Sequence, residues 1–302
     1  MSAVPVNRSY EPAAPAAIGD LAAGEEVAVA ADLRHSTRRR RIWTWAARIG
    51  TLVIIMGGWQ LLTSAKIVDP FFWGQPSGIV KQLGNWAQHG TQYGSIWEQI
   101  WVTFKEAVLG FVFGVAAGII AGVLLGMFQF LADVASPYIK VANAIPRIAL
   151  GSLFTVALGL GTPSKVALAA VLVFFVVFFN AFQGVREVDQ NLLANARVLG
   201  ASKLAIIRHV VVPSALVWII ASLHVAFGLA IIGAIVGEYL GATKGLGLVI
   251  ANSQNNFNPN GVFAAMVIIA ILALTAEGLI GLLERRLLSW RPPSQSEAAA
   301  AL

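Results

Sequence analysis

Cysteine is absent from all 302 residues. That excludes disulfides, thiolate metal sites and cysteine nucleophiles. Charge is scarce as well: 12% of residues are Asp, Glu, Lys or Arg, against 57% hydrophobic, and mean hydropathy is +0.74. Soluble domains carry about 25% charge. Half that amount cannot cover the surface of a water-soluble globule of this length. A soluble enzyme is thereby excluded, and so is disorder over the whole chain. Histidine is limited to His35, His89, His209 and His224, too scattered to suggest a metal site. Motifs for chemistry are missing too. No G-x-x-x-x-G-K-[ST] occurs, because the glycines at 159–165 and 241–247 are wrongly spaced, and neither H-E-x-x-H nor G-x-S-x-G is present. Any energy for a driven process must come from a partner or a gradient.

What the chain does contain is long apolar runs. A hydrocarbon layer of about 30 Å requires about 20 residues of apolar helix. Six runs qualify: 49–65 (extended backwards by 42–45), 107–128, 148–164, 166–185, 210–237 and 262–283. Each must be helical, because lipid leaves a bare backbone without partners. A barrel would show short alternating strands instead. The fold class expected is an all-α polytopic membrane protein with about six transmembrane helices. Residues 1–41, rich in Ala, Pro and Glu and ending in Arg, read as a disordered tail, and 291–302 as a second tail. The domain between them is 42–290. The first apolar run begins too late for a cleaved signal peptide.

The net charge of +6 is placed as membrane orientation requires. If the N-terminus is cytoplasmic, alternating spans put 15 Lys and Arg residues inside and 4 outside. The four are Lys66, Lys81, Lys165 and Lys244. Both termini are then cytoplasmic. The run Arg38–Arg41 reads as a topology anchor, in preference to a nucleic-acid patch or a twin-arginine export signal, because a span follows it.

Gly110, Gly114, Gly118, Gly122 and Gly126 recur every four residues within one span. Four residues turn a helix by about 400°, so the stripe winds slowly along one groove. Small residues there admit close approach of another helix. Ionisable groups in the spans are few: Arg147, His224, Glu238 and Glu277. A proton pump or ion exchanger needs a deep carboxylate relay, and only His224 and Glu277 lie deep. His224 reads first as a hydrogen-bonded packing residue, and Glu238 as lying at a water-filled outer mouth or the interface. A pathway lined by neutral groups would draw on Asn180, Gln183, Ser222 and Thr275. Asn180, Ser222, His224 and Glu238 are the candidates for a translocation path.

The most informative segment is the cytoplasmic loop 186–213. Residues 191–199 have helical spacing. Gly200 suits the left-handed turn that ends a helix, and Ser202 can cap a second one. The second helix would place Leu204, Ile207 and Val211 on one stripe. Pro213 fits the first turn of the next span. The unit is a pair of short helices, apolar on one side and basic on another, fit for a membrane surface or the groove of a soluble partner.

This loop resembles the pattern E-A-A-x-x-x-G-x(9)-I-x-L-P of permease subunits of bacterial ABC importers. Ala194, Asn195 and Ala196 stand in the EAA place, Gly200 in the glycine place, Val210 and Val212 in the apolar places and Pro213 in the proline place. Ala194 and Asn195 depart from the Glu and the first Ala. Residues 196–202, with Ala201 and Ser202, look like the ALGAS-type segment of the same family. The resemblance runs over about 45–290 and is strongest to the nitrate/sulfonate/taurine-type branch. It is supported by Pro76-Ser77, Ile145-Pro146, residues 154–161, Gly237-Glu238, Gly245-Leu246-Gly247, residues 262–265 and residues 283–286.

The resemblance implies a cytoplasmic coupling helix seated on an ABC ATPase dimer, with Ala194, Asn195, Ala196, Gly200, Ala201, Ser202, Leu204 and Pro213 carrying the coupling. It implies that ATP and Mg belong to that ATPase, with no cofactor bound by this chain. It also implies an extracytoplasmic solute-binding protein, a second permease copy (commonly a homodimer), and an oxyanion or alkanesulfonate-type solute such as nitrate or taurine, with thiamine precursors, riboflavin or other small organic solutes as the alternatives. Localisation would be the bacterial cytoplasmic membrane, with no nucleic-acid partner. The competing classes are a gradient-driven carrier or channel, which needs repeats or ion-binding groups not visible here, and an intramembrane enzyme or scaffold. The outer segment 239–260, with Lys244 and the polar run 252–256, reads as a solvated loop or as a contact for the delivered solute or the binding protein.

Overall fold

The computed structural model describes residues 42–188 and 190–287; the tails expected at 1–41 and 291–302 lie outside the described residues. Contacts divide the chain at Gly58, with residues 42–58 in one unit and 59–287 in the other. Helix α1 (Ile42–Ser64) begins in the first unit. There Thr51 Oγ1 donates to the Ala47 carbonyl at 2.9 Å, and the Arg48 guanidinium lies 5.1 Å from the centre of the Trp45 ring.

In the second unit follow α2 (Pro70–Trp73), α3 (Pro76–His89), α4 (Ile96–Met127), α5 (Gln129–Ala144), α6 (Leu150–Leu158) and α7 (Thr162–Arg186). Then come α8 (Gln190–Val198), α9 (Lys203–Ile206), α10 (Val212–Leu240), α11 (Leu246–Asn255) and α12 (Pro259–Leu287). Among the described residues there is no strand, and an isolated bridge joins Thr91 to Gly94. Ser95 starts α4 by accepting from the Trp97 N–H at 3.3 Å, satisfying one of the free donors of a helix start.

The centre is α4, α7 and α10. The glycine stripe of α4 lies on α7 in rising register: Gly114 opposite Ala170 and Val173, Gly118 opposite Phe174 and Val177, Gly126 opposite Phe182 and Val185. The two helices are therefore parallel neighbours. By contrast α10 runs against α7, with Gly233 on Ala169, Gly237 on Lys165, and Gly184 of α7 on Ala215. Ala107, Val173, Val177, Ala226, Ala230 and Ala234 are buried between them.

Parallel neighbours in a membrane require one return crossing between them. Among the described residues five helices are long and apolar enough to cross alone, and α5 with the turn Arg147–Ala149 and α6 passes as a sixth span bent by 75°. The order of α4 and α7 makes that bent pair the return crossing. This corrects the expected span 148–164. Its helix α6 has nine residues, about 14 Å, and cannot cross a layer of about 30 Å. Gly159, with φ +80°, ends it, and Ser164 and Lys165 belong to α7. Hydropathy alone missed α5, the other half, because Asp133, Pro137 and Lys140 dilute it. The solvated-loop reading of 239–260 is corrected too. It holds α11, whose Leu246, Val249 and Ser253 are buried.

Candidate functional site

The loop between α7 and α10 folds as a helix, a glycine turn and a second helix. Gly200 has φ +79°. The Ala201 N–H donates to the Ala196 carbonyl at 2.9 Å and the Gly200 N–H to the Arg197 carbonyl at 3.0 Å. This pair of bonds is the Schellman closure of α8, and it places glycine where a Cβ would strain the backbone. Ser202 Oγ accepts from the Ala205 N–H at 3.2 Å and so caps α9.

The next turn departs from the expected stripe. Ile207–Val211 is a π-helix, and its wider turn puts residues five apart on one face. Ile206 and Val211 are the buried pair, packed on Ala181, Val185, Val188, Ala215 and Ile219. Leu204 is 74% exposed and does not join Val211. The π turn also absorbs Pro213, whose ring would otherwise crowd the carbonyl four residues back. As a result the backbone is helical without interruption from Leu204 to Leu240.

The other side of the pair is open. Leu192, Val198, Leu199 and Leu204 are exposed large apolar residues, and Ala194, Asn195, Arg197, Gly200 and Ser202 are exposed beside them. Ala196 and Ala201 are half-buried against the bundle. An apolar patch rimmed by basic groups beyond the ends of the long helices marks a protein or membrane contact.

The path candidates do not converge. Asn180 Nδ2 donates to the Val176 carbonyl at 2.9 Å and Ser222 Oγ to the Ile219 carbonyl at 2.6 Å, each on its own helix. Thr275 Oγ1 likewise donates to Leu272, and Gln183 to Glu187. His224 Nε2 pairs with Glu284 of α12 at 2.9 Å, both half-exposed. Glu238 faces no open mouth: it is fully buried beneath the segment 241–247.

Glu238 belongs to a cluster that the sequence reading passed over. Its Oε1 accepts from Thr103 Oγ1 at 2.7 Å and its Oε2 from the Gly247 N–H at 2.6 Å. Thr103 Oγ1 accepts from the Leu246 N–H, and Gln99 Oε1 from the Gly245 N–H, both at 2.8 Å. Lys165, expected in an outer loop, is 1% exposed, and its Nζ donates to the carbonyls of Leu160 at 2.8 Å and Gly241 at 2.5 Å. Glu106 lies beside Lys165 and Glu238, 2% exposed. Hydropathy windows discard such groups as span ends; the available signal was Gln99, Thr103 and Glu106 falling on one face of a helix.

Openings accompany these sites. One, of about 400 Å³, is wholly apolar and lies between α4 and the start of α10. Another, of about 200 Å³, is polar, lined by Trp86, Gln92, Tyr93, Asn252, Ser253 and Asn256 among others.

Residues 114–289 match the family model described as binding-protein-dependent transport system inner membrane component. The chain is 34% identical over 155 residues to the putative aliphatic sulfonates transport permease protein SsuC of Bacillus subtilis (strain 168), covering 51% of this chain and 56% of that one. It is 32% identical over 162 residues to the riboflavin transport system permease protein RibX of Chloroflexus aurantiacus, covering 54% and 60%. The chain thus spans less than two thirds of these relatives. With the taurine transport system permease protein TauC of Escherichia coli (strain K12) it shares 27% identity over 259 residues, 83% of this chain and 94% of that one. In fold it resembles the MetNI methionine ABC transporter in inward-facing conformation, with a TM-score of 0.52 at 20% identity over 63% of this chain and 93% of that one. An amino acid ABC transporter solved with histidines gives a TM-score of 0.53 at 21% identity over 70% and 97%.

Proposed function

Because the chain belongs to the binding-protein-dependent transport system inner membrane component family, we propose that it is the membrane permease subunit of an ATP-driven importer. Its work is mechanical: to convert a movement imposed by a separate ATPase into opening and closing of a path. The observation that carries this reading is the helix pair α8–α9, exposed on one side and continuous in backbone with α10 on the other.

A soluble partner that grips Val198, Leu199 and Leu204 buries apolar side chains now in water, each a gain of about 1.5–3 kcal/mol if fully covered. Force applied there meets no flexible linker, because the π turn passes it into α10 as helix. Ala194, Asn195, Ala196, Gly200, Ala201, Ser202, Leu204 and Pro213 are the coupling residues in this reading. ATP and Mg belong to the ATPase dimer. An extracytoplasmic binding protein delivers the solute, and a second copy of the permease completes the path. In this reading both ends of the chain lie in the cytoplasm, a choice the positive-inside count favours.

For the solute we favour a small oxyanion or alkanesulfonate. The support is the names of two relatives, a putative aliphatic sulfonates transport permease and a taurine transport system permease. A gradient-driven carrier would have to use the buried Glu106, Lys165 and Glu238. Those groups sit at one end of the bundle, and Lys165 and Glu238 hold backbone there rather than lining a path.

The test is co-expression of the chain with its neighbouring ATPase and binding protein, followed by ATPase and uptake assays in reconstituted membranes. The expected result is a stable complex whose hydrolysis rises with one alkanesulfonate- or oxyanion-loaded binding protein. Failure of any ATPase to cross-link to Ser202→Cys or Leu204→Cys variants would overturn it.

A further inference from the structure

Four consecutive residues entering α11 are each tied to a side chain of a neighbouring long helix. Lys244 Nζ pairs with Glu98 at 2.5 Å, the Gly245 N–H donates to Gln99, the Leu246 N–H to Thr103, and the Gly247 N–H to Glu238. Glu98, Gln99 and Thr103 belong to α4, and Glu238 to the last turn of α10. Thr103 bonds Glu238 as well, so the two long helices are joined through the same hydroxyl. Gln99, Thr103 and Glu238 are each fully buried. The fit is tight, since a Cβ on Gly247 would lie 2.7 Å from the Glu238 Cβ, and one on Gly245 would overlap its carboxylate. From this anchored start α11 runs to the polar opening, which it lines with Asn252, Ser253 and neighbouring residues.

We propose that Gln99, Thr103 and Glu238 are positioning residues that make α11 a rigid extension of α4 and α10, so that a movement imposed at α9 is delivered to the polar opening at the far end. The proposal rests on the permease reading for its use. One helix, α10, carries the coupling pair at one end and Glu238 at the other, and the helical run between them is unbroken. A buried carboxylate that accepts from both a hydroxyl and a helix-start N–H is a stiff joint, because any displacement strands a polar group away from water. The opening and closing of the far end must then occur between this body and its neighbours, not between α11 and α4.

The absence of cysteine makes the joint testable by reversible cross-linking in the assembled transporter. The double variant Glu98→Cys/Lys244→Cys, bridged by a short reducible bis-maleimide, is expected to import solute within twofold of its unbridged form. Loss of import on bridging that is restored by reduction would overturn the proposal, because it would show that α11 leaves α4 during the cycle.

A second measurement uses Thr103→Val and Thr103→Ser, with a spin label at Asn255→Cys on the detergent-solubilised chain. Valine should mobilise the label and, in the assembled transporter, reduce stimulation of ATP hydrolysis by loaded binding protein at least tenfold, with unstimulated hydrolysis changed less than threefold; serine should restore both. A label equally immobile in valine and serine variants would sink the joint. A wild-type chain that binds no ATPase defeats the permease reading alone, since the spin-label comparison needs no partner.

Discussion

At the scale of single residues, burial decides which polar contacts matter. Lys244 and Glu98 form an ion pair whose side chains are 49% and 44% exposed. Such a pair contributes at most about 1 kcal/mol, so Lys244→Ala should leave the unfolding midpoint in detergent almost unchanged. Glu238→Ala removes the acceptor of two buried donors, Thr103 Oγ1 and the Gly247 N–H. A cost of about 3 kcal/mol is expected, with a midpoint lower by several degrees. Equal midpoints for the two variants would show that the buried groups find water. Packing glycines give a second contrast. A Cβ at Gly114 would stand 2.6 Å from the Ala170 carbonyl and from Val173, whereas one at Gly228 meets nothing within 4 Å. Gly114→Ala should destabilise by about 1–3 kcal/mol through overpacking. Gly228→Ala should be neutral or stabilising by up to about 1 kcal/mol. The thermal midpoints of these variants check both.

Among the elements, the coupling pair depends on backbone geometry more than on contacts. Space around Gly200 is open, yet its φ is +79°. A substitution there is strained without a clash, by about 1–2 kcal/mol for a β-branched residue and less for asparagine, which tolerates the left-handed region. Gly200→Val should therefore insert normally but lose most ATP-coupled uptake, while Gly200→Asn keeps it. Normal uptake by the valine variant would remove Gly200 from the coupling role. The glycine turn was legible in the sequence because only the left-handed position needs that residue. So were the long helices, because apolar runs and lipid leave no other solution. Three things were not legible. The break in α5–α6 was hidden because charge and proline in α5 lowered its hydropathy below that of its neighbours. The π turn was hidden because no composition marks it, and a 3.6-residue template therefore assigned Leu204 to the buried face that belongs to Ile206. The buried cluster escaped for a third reason. Gln99, Thr103, Glu106 and Lys165 are polar groups at span ends, where water is the default partner, and only tertiary contact shows that α11 excludes it.

For the whole molecule, the register of α4 on α7 constrains topology more strongly than hydropathy does. Parallel packing demands that the chain return once between them, and antiparallel packing of α10 on α7 places α8–α9 and α11 on opposite faces of the membrane. Three exposed positions report on this: Leu199 beside the Gly200 turn, Leu160 between α6 and α7, and Asn255 at the end of α11. Each can be replaced singly by cysteine in a chain that has none. With the basic loops inside, a membrane-impermeant maleimide should label Leu160→Cys and Asn255→Cys in intact cells, and Leu199→Cys only after permeabilisation. The reverse pattern would invert the orientation and leave the helix order intact. Leu160 labelling with Leu199 would mean that α5–α6 turns back without crossing. That outcome would contradict the parallel packing of α4 and α7 itself, because α7 would then have to run the other way through the bilayer.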